Sequence, residues 1–325
     1  MGEKIKIGIL GYADIAKRQI IPALEKICSH FELKAIASLS QKKPNQNLDN
    51  VIWYDEYSEL VKDDSINLVY VPLPNALHYH WVKECILNKK NVICEKSLGC
   101  NLNEVVELTD LASKNKVLLF ENFQFRFHNQ FKVLNDLLKN KKIGQLRCLR
   151  ASFGFPPFSD PRNIRYVKKL GGGALLDAGA YTTKISQLLL GKKLDVKASN
   201  LIYDTSIGVD IWGGAFLSHS SGIFSEIAFG FDNFYQCGIE IWGSKGKIST
   251  NRLFTSPPGY YPKIKIETSS DEEILRVEQC NHFENMLLHV YDLIKNECHE
   301  KINFEHELNI DQSRLIEEIK NKSIL

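Results

Sequence analysis

The chain has 325 residues, of which 44% are apolar and 25% charged, with a formal net charge of +2. That length exceeds one ordinary core and suits two domains of a soluble globular protein. Lys and Arg are spread along the chain rather than gathered on one basic face, which argues against a nucleic-acid partner. The Lys139 to Lys142 cluster reads as a solvated helix end. No apolar run approaches a membrane span, and no leader-like segment opens the chain, so a cytoplasmic protein without membrane contact is expected. The eight cysteines are scattered, with no C-x-x-C pair, and read as free thiols. No Cys/His spacing fits a metal site.

Residues 5–10 (IKIGIL) form a short apolar run, and 33–39, 67–73, 91–96 and 117–122 repeat the type. Such runs suit strands buried on both faces. Helical spacing fills the gaps at 14–28, 78–88 and 103–114. Strand–helix alternation predicts a parallel sheet with right-handed crossovers. Pro22 weakens the early turns of the first helix.

The turn after the first strand reads Gly8-Ile9-Leu10-Gly11-Tyr12-Ala13-Asp14-Ile15-Ala16. Gly11, Ala13 and Ala16 fall on the three small-residue positions of a dinucleotide-binding turn. Gly11 permits the bend, Ala13 lets backbone approach a pyrophosphate, and Ala16 lets the helix pack on the strand. The segment Gly11, Tyr12, Ala13, Asp14, Ile15 then offers helix N-terminal N–H groups to phosphate. After the second strand comes no acid but Ser38, Leu39, Ser40, Lys42 and Lys43. A 2′-phosphate is therefore tolerated, with Ser38 and Lys42 as partners, and NADP is expected ahead of NAD.

From about residue 146 the pattern changes. A proline-containing loop spans Pro156 to Pro161. Segments near 195–204, 208–218, 222–231, 234–243 and 246–250 alternate, carry aromatics and are separated by turn residues, as in an antiparallel sheet. Helices are expected near 281–296 and 309–320. The overall expectation is an α/β protein: a Rossmann domain at 1–123 and an α+β domain at 124–325 with an open, largely antiparallel sheet.

Four segments, in this order behind the turn, resemble the Gfo/Idh/MocA oxidoreductase family. They are VYVPLPNALHYHW at 69–81, CEKSL at 94–98, ENFQFRFHNQ at 121–130 and GGGALLDAGAY at 171–181. The likeness covers nearly the whole chain and is greatest to members with Tyr at the end of the last motif, among them nucleotide-sugar 3-ketoreductases. It implies that Lys96 is catalytic and that Leu73, Pro74, Asn75, His78 and Glu95 line the nicotinamide half of the cofactor site. Asn75 would bond ribose or carboxamide. His78 reads equally as a ligand contact or an ordinary helix residue. Arg126 would reach the cofactor or brace the domain crossing. Ser97 stands where the family usually has proline, removing a constraint on Lys96.

Ketone reduction needs a placed hydride donor, stabilisation of charge on oxygen, and a proton. The spacing of four puts Asp177 and Tyr181 on one helix face. A phenol titrates near about 10, and a neighbouring ammonium lowers it. Tyr181 is thus expected to give the proton while Lys96 tunes it and polarises the oxygen; Asp177 would orient Lys96 or a sugar hydroxyl. Arg165 and Tyr166 precede the glycines, where Arg165 would meet a diphosphate-linked substrate or serve a structural ion pair. The expected activity is NADP-dependent reduction, at C3, of a nucleotide-linked keto sugar. Alternatives are a dehydrogenase of a free aldose, polyol or dihydrodiol, and a non-catalytic dinucleotide sensor. By resemblance the open sheet face would pair subunits into a homodimer or homotetramer through Phe216, Phe224, Phe229, Phe231, Phe234 and Trp242, which a monomer core would use as readily.

Overall fold

The computed structural model describes residues 3–44 and 48–323. Two compact units emerge, Met1–Asn122 with Phe283–Ile310, and Phe123–His282 with Asp311–Leu325. The chain crosses where the sequence division falls, but residues 283–310 return to the first unit, which the split at 123/124 does not anticipate.

The first unit is built on a six-stranded parallel sheet in the order β3-β2-β1-β4-β5-β6. Its strands are β1 (Ile5–Leu10), β2 (Phe31–Ala37), β3 (Ile52–Tyr54), β4 (Leu68–Val71), β5 (Asn91–Glu95) and β6 (Leu119–Asn122). Aliphatic runs make the central strands: Ile7, Ile9, Leu68 and Val69 are wholly buried, as strands covered on both faces require. Strand order reverses between β1 and β4, and open parallel sheets bind ligands at the carboxyl ends beside such a reversal. Helices α1 (Ile21–Lys26), α2 (Tyr57–Lys62), α3 (Asn75–Leu87) and α4 (Leu102–Asn115) fill the crossovers. The stretch before α1, Ala16–Ile20, is a wider π-type turn that runs straight into it, and Pro22 falls in the first turn of α1. A proline without an N–H is tolerated there. The short β3 and α2 carry too few periodic residues to be read from sequence.

The second unit contains α5 (Asn129–Lys139), β7 (Leu146–Gly154), α6 (Ala180–Leu190) and seven further strands. These are β8 (Leu194–Asp204), β9 (Val209–His219), β10 (Phe224–Gly230), β11 (Gln236–Gly243), β12 (Gly246–Asn251), β13 (Lys263–Thr268) and β14 (Glu272–Arg276). They form one sheet, β14-β13-β12-β11-β7-β10-β9-β8, antiparallel except where β7 lies parallel to β10. One face packs on α6. The other carries a ladder of alternating charge: Arg150 meets Glu226 and Glu240, and Lys247 meets Glu240 and Glu267. Trp212, Phe216 and Trp242 stand exposed, whereas Phe229 and Phe231 are buried, so those two phenylalanines belong to the core rather than to an outer face.

The chain ends in α7 (His282–Lys295) and α8 (His299–Asn321). In the first unit, α8 closes the outer edge of β6. Leu119 N–H donates to His306 Nε2 at 3.2 Å, and Asn309 Nδ2 donates to the Leu119 carbonyl at 3.0 Å. An edge strand left bare would offer these groups to another chain.

Candidate functional site

In the first unit, site residues gather at the carboxyl ends of the strands. Gly11 ends β1 at φ +114, and its N–H donates to the Ala37 carbonyl at 2.9 Å. A Cβ there would stand 2.7 Å from Leu73 Cδ2, so both the backbone angle and the space demand glycine. Tyr12 packs edge-on to Trp53, with centroids 5.3 Å apart. Ala16 is wholly buried, while Asp14 is exposed and lies 3.9 Å from both Lys17 and Arg18.

The end of β2 differs from the sequence reading. Ser38 is buried and its hydroxyl accepts the Gln41 N–H at 3.2 Å. Gln41 reaches back to the turn, donating to the Tyr12 carbonyl at 3.0 Å and accepting from Lys17 Nζ at 2.7 Å. The ammonium also sits 4.6 Å from the Tyr12 ring centre. Lys17 is therefore the cation drawn to Ser38 and the Gly11 turn. Lys42 lies exposed, and Lys43 instead donates to the Val51 carbonyl at 2.8 Å. Lys17 and Gln41 were missed because 24 residues separate them; the basic step after Ala16 was the signal. A glycine cradle, a hydroxyl instead of an acid, and a nearby ammonium fit a dinucleotide carrying a 2′-phosphate.

After β4, Pro74 leads into α3, whose first residue is the half-buried Asn75. His78 is wholly buried between two carbonyl oxygens, those of Leu73 and Ser97, each at 2.7 Å. Only an imidazolium could donate to both, yet burial outweighs those two bonds, Lys96 adds repulsion, and the pKa falls to about 4. The neutral ring ties the loop over Gly11 to the loop that carries Lys96. Lys96 is half-buried just beyond β5, and its peptide bond to Ser97 is cis. Glu95 accepts from Tyr70 Oη and from Asn122 Nδ2, each at 2.7 Å. Burial raises its pKa, against the pull of those bonds and of Lys96.

In the second unit, Arg126 lies in a short turn, its guanidinium 5.4 Å from the Phe127 ring centre. Tyr181 is mostly buried in a cage of Phe123, Phe125, Phe153 and Phe254. Its hydroxyl exchanges bonds of 3.3 and 3.4 Å with the Gln124 amide, which the Phe254 carbonyl pins at 3.3 Å. Gln124 lies in ENFQFRFHNQ but was not singled out. Asp177 is paired with Arg165, whose Nε donates to Oδ2 at 2.5 Å. The carboxylate favours the charged guanidinium against burial, and Tyr181 contributes in the same direction. The Tyr166 hydroxyl accepts the Phe158 N–H at 2.9 Å. Gly173, at φ +124, leaves room for Asp210, which accepts the Leu175 N–H at 2.6 Å and so fixes the start of the helical stretch bearing Asp177. Burial raises the Asp210 pKa, opposed first by that bond.

Among the described residues, no group of three or more His, Cys, Asp or Glu could hold a metal ion, and no helix is long and apolar enough to cross a membrane.

Comparison with known proteins gives matches along most of the chain. Residues 5–123 match the model for an oxidoreductase family with an NAD-binding Rossmann fold, and 131–249 match the GFO/IDH/MocA C-terminal domain. The dTDP-3,4-didehydro-2,6-dideoxy-alpha-D-glucose 3-reductase of Streptomyces violaceoruber is 36% identical over 276 residues, covering 83% of this chain and 80% of that protein. The enzyme of that name from Streptomyces antibioticus is 30% identical over 320 residues, covering 97% and 96%. The crystal structure of KijD10, a 3-ketoreductase from Actinomadura kijaniata in complex with NADP and TDP-benzene, superposes with a TM-score of 0.91 at 30% identity, covering 99% of this chain and 98% of that one.

Proposed function

The chain belongs to the Gfo/Idh/MocA oxidoreductase family, and we propose that it reduces the C3 keto group of a nucleotide-linked deoxy-keto sugar with NADPH. The observation that carries this reading is the similarity to 3-reductases over nearly the full chain, 30% identical across 97% of it. Relatives crystallised with NADP and TDP-benzene support the cofactor and the nucleotide, as do Ser38 and Lys17 at the end of β2.

When bound, the nicotinamide supplies hydride to the carbonyl carbon. The protein's part is to stabilise the developing oxyanion and deliver a proton. Lys96 polarises the oxygen and Tyr181 protonates it. Gln124 holds the phenol, and the phenylalanine cage excludes water around it. Asp177 acts through Arg165, so its role is to position that guanidinium rather than to orient Lys96. His78 and Glu95 fix the loop and strand end from which Lys96 projects.

The eight cysteines are unpaired, which suits the reducing cytoplasm in which this reading places the enzyme. Pairing through the sheet face of Trp212, Phe216 and Trp242 is the assembly it expects, as a homodimer or homotetramer; light scattering on eluted protein measures the mass.

The test is consumption of NADPH with dTDP-3,4-didehydro-2,6-dideoxy-glucose, with the product carbon identified by NMR. Turnover of free xylose or a dihydrodiol, with none of the nucleotide-linked sugar, would sink the reading.

A further inference from the structure

The second unit has a cavity of about 540 Å³ away from Tyr181, floored by Phe158, Tyr166 and Phe231 and walled by Trp212. The floor rings lie in mutual contact, Tyr166 5.5 Å from Phe231 and 6.0 Å from Phe158. Trp212 pairs with Ile202 and Gly230 across the sheet, and a Cβ at 230 would stand 2.5 Å from Trp212 Cβ. Glycine at that position lets the indole side settle against the cavity. Pockets of this size with aromatic walls and few polar groups take flat ligands.

Here the polar groups are specific. Tyr166 accepts from Phe158 N–H, and no acceptor among the described residues takes its own proton. The rim carries two carboxylates, Asp204 and Asp232. Ser206 N–H and hydroxyl engage Asp204 Oδ1, leaving Oδ2 as an acceptor. One donor and carboxylate acceptors suit the edge of an imide base, in which a carbonyl oxygen neighbours an N–H.

Cations adjoin the cavity on one side. The Phe158 ring that floors it carries the Arg165 guanidinium 4.8 Å from its centre. Lys168 Nζ reaches the β8–β9 hairpin, 3.8 Å from where a Cβ of Gly208 would stand. Arg165 in turn holds Asp177, four residues ahead of Tyr181. The order along the surface is thus aromatic pocket, guanidinium, phenol, which is the order base, diphosphate, sugar.

We propose that this cavity binds the pyrimidine base of the nucleotide-linked substrate, stacked on Trp212, with Arg165 and Lys168 facing the diphosphate. The inference rests on the reading above of a nucleotide-linked substrate, and its test keeps the two apart.

Calorimetry with thymidine diphosphate as probe, on the full-length protein, measures the site directly. Trp212→Ala should weaken binding on the order of tenfold, the scale of one lost base–aromatic stack. Trp212→Phe, which keeps a ring, should recover most of it. Trp242→Ala, on the same sheet but outside the cavity, should leave it unchanged. Equal affinity in wild type and Trp212→Ala overturns the inference, and a change of oligomeric mass in that variant would then assign the indole to a second copy of the chain. Absence of thymidine diphosphate binding in the wild type overturns it as well. The reductase assay decides the functional reading separately, since turnover of the nucleotide-linked sugar with no effect of Trp212→Ala sinks only the base pocket.

Discussion

Arg165 donates from Nε to Asp177 Oδ2 at 2.5 Å, and the same guanidinium lies within electrostatic reach of Tyr181. Asp177 is buried, so its charge depends on that partner. Asp177→Asn leaves the guanidinium without its counter-charge, and Arg165→Ala leaves the carboxylate buried alone. Arg165 is about a third exposed (35%), so solvent softens the loss. Each change should cost about 1–3 kcal/mol, with Arg165→Ala the worse of the two. Melting temperature reads this out, a fall of roughly 2–4 °C per kcal/mol in a unit of this size. Unchanged melting in Arg165→Ala would show that the pair contributes nothing.

Lys96→Ala and Tyr181→Phe address the chemistry. Each should lower kcat by roughly a hundredfold or more, the scale of a positioned proton donor, while NADPH affinity stays within a few-fold. Gln124→Ala should lower kcat less, because the phenol stays in its cage and loses only its partner. Full activity in Tyr181→Phe would remove the phenol from the mechanism. Full activity in Lys96→Ala would do the same for the ammonium.

The first sheet was legible because apolar runs buried on both faces, such as Leu68–Val71, leave an unmistakable pattern. The glycine turn was legible too, since φ +114 at Gly11 excludes most side chains. β13 and β14 were overlooked: KIKIET alternates, but lysines and glutamates break its apolar content, and the edge strand leaves Ile274 59% exposed. Contacts made by loops left no periodic trace. Gln41 meets Lys17 across 24 residues, and Arg165 meets Asp177 across 12. Gln124 acquires its place only when Tyr181 packs against the Phe123–Phe125 turn. The return of Phe283–Ile310 depends on His306 and Asn309, two ordinary polar residues that find β6 through its bare edge groups.

Cofactor choice should turn on the β2 end. Ser38→Asp puts a carboxylate beside Gln41 and near Lys17, where it would repel a 2′-phosphate and accept from a ribose 2′-OH. NADPH should bind on the order of tenfold more weakly, the worth of one charge-assisted hydrogen bond, and NADH should gain. Lys17→Ala should weaken NADPH but not NADH, with an effect that shrinks as salt rises. Fluorescence titration of both cofactors measures the ratio. Equal losses for NADPH and NADH in Lys17→Ala would mean that the ammonium serves the turn alone.

Acid should unfold the protein through its buried histidines. His306 accepts the Leu119 N–H on Nε2, and His128 accepts the Gln130 N–H on Nδ1. Both bonds need a neutral ring. Burial lowers His306 and His128 from 6.5 to about 4, and lowers His282 to about 3. Their folded pKa values lie below the unfolded one, so below about pH 6.5 the unfolded chain takes up protons that the native state refuses. The stabilisation is therefore complete above about pH 6.5 and is lost as pH falls toward about 4. Each ring contributes a slope of about 1.4 kcal/mol per pH unit within that window. Urea midpoints should fall steeply between about pH 7 and about pH 5. His306→Gln, whose amide oxygen can still accept from Leu119, should make that fall shallower by one ring's share. A midpoint flat across the interval would mean that these rings are not neutral by necessity in the native state.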